Sequence, residues 1–297
     1  SYPSYIRDSL PVNGGVLPVI DFTYDIYRVF QDQASLFSQY AFNQSIRVEA
    51  GGGYSLYYYR TERWHNYYDD FGRIIYQDRE KIESPDGFGL FNIQAAFVGD
   101  NSTFGFTSPL NGYRFRIGVT QNFGHWDYLT TLVDLRKYFY LKKSSLALRV
   151  LQYGQYGADA NNNNLSNYVI YPTFIRGYSN LSTTAIEDLG LTNSVRGSKL
   201  FVGNAEFRIP FTGPEQLALI PTNFLLSQLA FFYDVGSAWT RDNPFDAPEG
   251  FEPKLLQSVG VALRINLFGA LILEPFYAKP LIDGVKGTFG LNFVPGW

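Results

Sequence analysis

The chain contains no cysteine. Disulfide frameworks, thiolate metal sites and cysteine nucleophiles are therefore excluded. Charge is sparse as well, at 17% of residues with a net of −3. With no basic run, nucleic acid is not an expected partner. No stretch approaches the ~18 consecutive apolar residues of a membrane-crossing helix. The start, Ser1-Tyr2-Pro3-Ser4-Tyr5, has neither a charged nor an apolar leader segment. It reads as the point left by leader removal, or as a point inside a longer protein. No Gly-x-Ser-x-Gly elbow is found. Gly51, Gly52 and Gly53 lie inside a strand pattern, so they do not form a phosphate loop; they are expected to let another segment, such as the long loop below, approach the wall, or to relieve crowding at a bend. His65 and His125 are far apart, which argues against a metal site or a catalytic base. Asp69, Asp70, Asp78, Glu80 and Glu83 read as a solvated acidic loop, with Ca²⁺ binding the alternative. The expectation is a non-enzymatic chain with no cofactor and no metal.

What is abundant is aromatic surface, 18% of residues, at a mean hydropathy of only −0.13. Apolar side chains without apolar runs must alternate with polar ones, which is the weak signature of a transmembrane strand. In 46–58, Ile46, Val48, Ala50, Tyr54, Leu56 and Tyr58 oppose Arg47, Glu49, Gly51, Gly53 and Ser55. In 113–123, Tyr113, Phe115, Ile117, Val119 and Phe123 oppose Arg114, Arg116, Gly118, Thr120 and Asn122. Near the end, Val259, Val261, Leu263, Ile265 and Leu267 oppose Ser258, Gly260, Ala262, Arg264 and Asn266. Period two with charge on one side only describes strands with one face in lipid and one in water. Strand ends carry aromatics such as Tyr57, Tyr58, Phe123, Tyr138, Trp239 and Tyr277, as interfacial girdles do. Short connections (43–44, 107–112, 142–143, 268–269) alternate with longer ones (60–86, 154–198, 240–254, 279–286), with exceptions at 123–126 and 211–225. Residues 1–14 read as an irregular start and 15–297 as one β-barrel domain. The alternative is a water-soluble sandwich, which would need two packed sheets.

The longest segment without a strand pattern is the loop 154–198, and it carries Arg176-Gly177-Tyr178. A guanidinium folded back into a barrel is costly unless paired. Glu206 and Asp234 each sit in a polar slot between apolar strand neighbours, and a bidentate contact with one of them would satisfy Arg176 and pin the loop. Gly177 would permit a tight tip beside the wall. Arg114, Arg116, Arg149 and Arg264 would face Asp134, Glu206, Asp234 and Glu274 in mutual neutralisation.

These residues carry a family likeness. Phe174-Ile-Arg-Gly-Tyr178 resembles the lid-loop motif of the BamA/TpsB superfamily, the bacterial surface antigen family of outer-membrane assembly and translocation barrels. Asn204-Ala-Glu-Phe-Arg-Ile-Pro210 resembles the strand after that loop. Phe232-Tyr-Asp-Val-Gly-Ser-Ala-Trp239 resembles the next one, with Gly236 and Trp239 as its marks. Asp100–Gly112 resembles a strand end and turn of the family. Phe289-Gly-Leu-Asn-Phe-Val-Pro-Gly-Trp297 resembles its closing strand. The wording of the C-terminus is most similar to barrels fused behind TolB-like propellers.

The resemblance implies an all-β transmembrane antiparallel barrel with about twelve of the roughly sixteen family strands, its lid loop folded into the lumen. It implies that the chain is a C-terminal fragment. It implies a bacterial outer-membrane location, with lipid and other outer-membrane or periplasmic proteins, complex members or client barrels, as partners. It implies protein insertion or transport at a seam formed by the closing strand, with Gly287, Phe289, Gly290, Leu291, Phe293 and Trp297. The rival role is an accessory barrel of the propeller-fused type, anchoring a periplasmic or surface partner without insertase activity.

Overall fold

The computed structural model describes residues 4–12, 15–162, 165–222, 224–240, 253–267, 269 and 271–293. Its long strands are β1 (Ser4–Val12), β2 (Gly15–Ala41), β3 (Ile46–Tyr68), β4 (Phe88–Asp100), β5 (Pro109–Gly124), β6 (Tyr128–Tyr140), β7 (Ser145–Tyr156), β8 (Lys199–Gly213), β9 (Leu226–Trp239), β10 (Leu256–Leu267), β11 (Leu271–Pro280) and β12 (Thr288–Phe293). Neighbours in sequence are neighbours in the sheet. From β5 to β12 every register is antiparallel. Seven strands precede the long loop and five follow it. By compactness the chain forms two units, residues 1–35 with 53–91, and residues 36–52 with 92–297.

The first unit corrects two readings. Of the expected irregular start 1–14, the described residues 4–12 form a strand instead: Ser4–Val12 pairs with β2, with Leu10 opposite Leu17. An edge strand tolerates a proline such as Pro11 because a missing N–H on its open side costs no ladder bond. Residues 60–86, expected as a charged, Tyr-rich loop with a short hairpin at Arg73–Asp78, are largely one longer hairpin. β3 runs on to Tyr68, and a further strand, Ile74–Ile82, pairs back along it with Glu62 opposite Lys81 and Arg63 opposite Glu80. The Asp69 carboxylate closes the turn, accepting from the backbone N–H groups of Phe71 and Arg73, both at 2.9 Å. Crossing a bilayer takes only about 9–11 strand residues, and β3 has 23. A ribbon that continues into water has no reason to keep a greasy face, so hydrophobic alternation does not report it.

In the second unit the burial pattern is the reverse of a water-soluble sheet. Val259 and Val261 of β10 are 38% and 39% exposed, while Ser258 and Arg264 on the other face are buried. In β9 Phe231 and Tyr233 are exposed and Phe232 and Asp234 buried; in β8 Phe207 is exposed between buried Glu206 and Arg208. The exposed face is thus apolar and the buried face charged. Tight turns such as 141–144, where Lys142 and Lys143 adopt φ of 51° and 58°, contrast with the loop between β7 and β8. A Cβ on Gly51 would lie 2.8 Å from the Leu36 carbonyl oxygen, and one on Gly52 2.9 Å from that of Asn92. These glycines admit neighbouring strands, not the long loop as expected.

Candidate functional site: the lid-loop arginine

Residues 157–198 carry two short helices, α1 (Thr183–Asp188) and α2 (Thr192–Val195). Val169, Ile175, Tyr178, Leu191 and Val195 of this loop form one apolar cluster with Leu151, Leu200, Val202, Ala238 and Leu256 of the strands. Each such side chain contributes roughly 1.5–3 kcal/mol by leaving water, so the loop is fastened to β7–β10 before any charge is considered. The Tyr171 carbonyl accepts from the N–H groups of Phe174 and Ile175, a turn that delivers the next residue, Arg176, to the buried face.

Arg176 meets Asp234 through a fork. Nε lies 2.8 Å from Oδ2 and Nη2 lies 2.8 Å from Oδ1. Its backbone N–H also donates to Oδ2, at 3.2 Å. Nη1 is 2.8 Å from Glu206 Oε1; this is a close ion pair whose angle does not make a hydrogen bond. Glu274 Oε1 is 3.6 Å from the same nitrogen. The guanidinium carbon stands 3.5 Å from the centre of the Phe232 ring, a cation–π contact within the favourable range. Burial opposes the Arg176 charge, but the Asp234 and Glu206 carboxylates outweigh it and hold its pKa above the ordinary arginine value.

Two more arginines complete the cluster. Arg208 Nε and Arg264 Nη2 each lie 2.8 Å from Glu206 Oε2, and Arg264 Nε lies 2.5 Å from Glu274 Oε2. Three guanidiniums and three carboxylates, all at 2% exposure or less, therefore balance one another. The ladder between β10 and β11 is open here: Ala262 pairs Phe276 and Ile265 pairs Leu273, with no pairing recorded between them. Pro275 lies in that gap and has no N–H to give. Asn204 donates to Asp234 Oδ1 at 2.8 Å and to the Phe174 carbonyl at 2.7 Å, tying acid and loop together.

The remaining expected positions fall close by. Gly177 has a φ of 95°, and a Cβ there would stand 3.1 Å from Ala278 Cβ; both backbone and space demand glycine. At Gly236 a Cβ would stand 2.8 Å from Ile175 Cδ1, so this glycine admits the loop against the wall. Trp239 ends β9 and is half-buried. The phenol of Tyr178 donates to the Gln257 carbonyl at 2.7 Å and accepts from the Gln257 N–H at 3.1 Å. Arg149 joins Asp134 at 3.0 Å and donates to the Thr173 carbonyl. Arg114 and Arg116 take other partners than expected, Asp100 and Glu49. Arg208 and Phe232 were not singled out from the sequence. Glu206 and Arg208 are two apart on one strand, so they share a face, and that spacing was the available signal.

Residues 19–293 match the model of the Omp85 superfamily domain. The chain belongs to the Omp85 superfamily. Its sheet resembles two solved structures of low identity. One is BamA from Haemophilus ducreyi lacking POTRA domains 1–3, with TM-score 0.52, 10% identity, and coverage of 93% of this chain and 61% of that one. The other is CdiB from Acinetobacter baumannii, with TM-score 0.52, 16% identity, and coverage of 96% and 48%. The chain thus spans about half to three fifths of the chains it resembles. No curated protein sequence matches it.

The Omp85 fold gives the two faces their names. The sheet is wall of an outer-membrane β-barrel, its exposed apolar face turned to lipid and its charged face to the lumen. Arg176 sits at the lumenal tip of the lid. Of the closing-strand residues, Gly287, Phe289, Gly290, Leu291 and Phe293 lie on or just before β12; Phe289, Leu291 and Phe293 are exposed. The rings of Tyr277 and Phe276 lie over Gly287 and Gly290. Trp297 lies outside the described residues. Among the described residues no group of three or more His, Asp or Glu is arranged to hold a metal ion.

Burial pushes the Tyr178 phenol up to about 12. The neutral form is the one the lid binds. Its contribution is full below the ordinary tyrosine value of about 10 and is lost as pH rises through about 12. Tyr178→Phe is expected to cost roughly 0.5–1.5 kcal/mol at neutral pH and to remove this part of the alkaline loss. Urea unfolding of both proteins in micelles from pH 8 to 12 checks it; parallel pH curves would contradict the assignment.

Proposed function

We propose that this chain is the barrel portion of an outer-membrane protein that inserts or translocates polypeptides, with no enzymatic activity of its own. The last strand supports this reading. Among the described residues β12 has six, the fewest of the twelve strands. It pairs with β11 alone, and its other edge carries no ladder partner among the described residues. An unpaired edge is costly in lipid and is a template for an added strand. The partners are outer-membrane lipid and the incoming strand of a client protein.

The buried lid lock favours a second reading, an accessory barrel that anchors a periplasmic or surface partner. A lumen held shut by three carboxylates is suited to a wall that passes nothing.

Because the chain has no cysteine, a single thiol at Leu291→Cys reports on one place. With a cysteine in the terminal strand of a client barrel, a disulfide adduct is expected during assembly in membranes. Absence of any adduct at Leu291→Cys and at Phe289→Cys sinks the insertion reading and leaves the anchor.

A further inference from the structure

The charge balance of the lid cluster is not repeated on the neighbouring part of the lumenal wall. Arg114 stands directly opposite Arg136, and Arg136 directly opposite Arg149. Three guanidiniums thus form one row across β5, β6 and β7. Like charges in directly opposed positions destabilise a sheet. The neighbouring carboxylates reduce this repulsion without cancelling it. Asp100 takes Arg114 at 2.9 Å. Glu49 takes both Arg47 and Arg116, each at 2.7 Å. Asp134 takes both Arg136, at 2.6 Å, and Arg149, at 3.0 Å. Five arginines therefore share three carboxylates, leaving two positive charges over.

The row is open to solvent at its Arg114 end, where Arg47 and Arg116 flank it, while Arg136 and Arg149 are 16% and 5% exposed. The side chains of Arg47, Arg114 and Arg116 are 38%, 39% and 42% exposed, against 3% or less for the arginines of the lid cluster. With Arg136, Asp100 and Asp134 they line a hollow of about 260 Å³. We propose that this hollow is an anion site for a phosphate group, held by the guanidiniums of Arg47, Arg114, Arg116 and Arg136. A phosphate dianion matches the excess of two charges. Its tetrahedral oxygens accept bidentate forks from several directions at once, which a planar carboxylate does less well. Either a free phosphate or a lipid headgroup ending in a phosphomonoester supplies that chemistry.

The test is calorimetric titration of the protein, folded in nonionic micelles, with pyrophosphate at low salt. Saturable binding is expected. Arg136→Gln is expected to weaken it by about ten-fold or more, the loss of one charge-assisted contact. Arg114→Gln gives the same readout at a more exposed side chain should Arg136→Gln fail to fold. Asp100→Asn removes a competing acid and is expected to tighten binding by roughly three-fold or more, an outcome that a purely structural role for these arginines does not produce. Micelles doped with phosphatidic acid, a phosphomonoester lipid, separate the sources. Competition against pyrophosphate in the wild type but not in the glutamine variants identifies a headgroup site, and its absence a free-phosphate site. No saturable binding, equal affinity in the glutamine variants, or displacement of pyrophosphate by a glutamate-rich peptide at lower concentration overturns the proposal.

Discussion

Arg176→Ala is expected to destabilise the lid and the wall behind it by about 3–5 kcal/mol, the cost of breaking a buried ion pair from one side. The reason is local. Asp234 is fully buried and takes two side-chain nitrogens of Arg176; without them it keeps only neutral donors, the Asn204 amide and the backbone N–H of residue 176. Glu206 fares better, since Arg208 and Arg264 stay within 2.8 Å. The exposed remainder of the loop is still held by its apolar cluster, so the lid should loosen at its tip rather than leave the barrel. Arg176→Lys should recover only part of the loss, because an ammonium cannot span both oxygens of Asp234 while facing Glu206. Proteolysis of the loop and heat-modifiable gel mobility in urea measure this. A variant as resistant and as slow to unfold as the parent would show that the guanidinium fastens nothing.

Glu206→Gln should cost at least as much. Three arginines converge on this one carboxylate, at 2.8 Å each. Neutralising it turns a balance of three against three into three against two, all of it away from water. About 3–5 kcal/mol is again the scale, but the fault now spreads over β8, β10 and the lid together. The double replacement Glu206→Leu with Arg208→Met removes one charge of each sign and should be milder than Glu206→Gln alone. Urea midpoints for the three proteins decide it. If the double variant is the least stable, the cluster is not governed by its charge balance.

Much of this was readable from the residues. The two-residue rhythm of 46–58, 113–123 and 258–267 fixed strands, faces and which face was greasy, because lipid selects for each outward side chain separately. Arg176, Glu206 and Asp234 were legible because a charge placed in a lipid-alternating strand, or at the tip of a loop with aromatic neighbours, has few places to be satisfied. A short hairpin at Arg73–Asp78 was legible, but not the pairing of Ile74–Ile82 along β3, since a solvated ribbon obeys no hydrophobic period. Nor was Ser4–Val12, whose strand character comes from pairing with β2 rather than from its own composition.

The order of side chains alone determined the class of fold, the lipid-facing positions and the chemical need of Arg176 for a buried acid. Only the tertiary structure decided which acids answer that need and which arginines are left sharing. Register does this: a single-residue slip between β8 and β9 would move Asp234 to the lipid side and Asn204 away from it. Sequence spacing says which residues share a face of one strand. It is the alignment of one strand with the next that sets Glu206 among three guanidiniums and lines Arg114, Arg136 and Arg149 in a row.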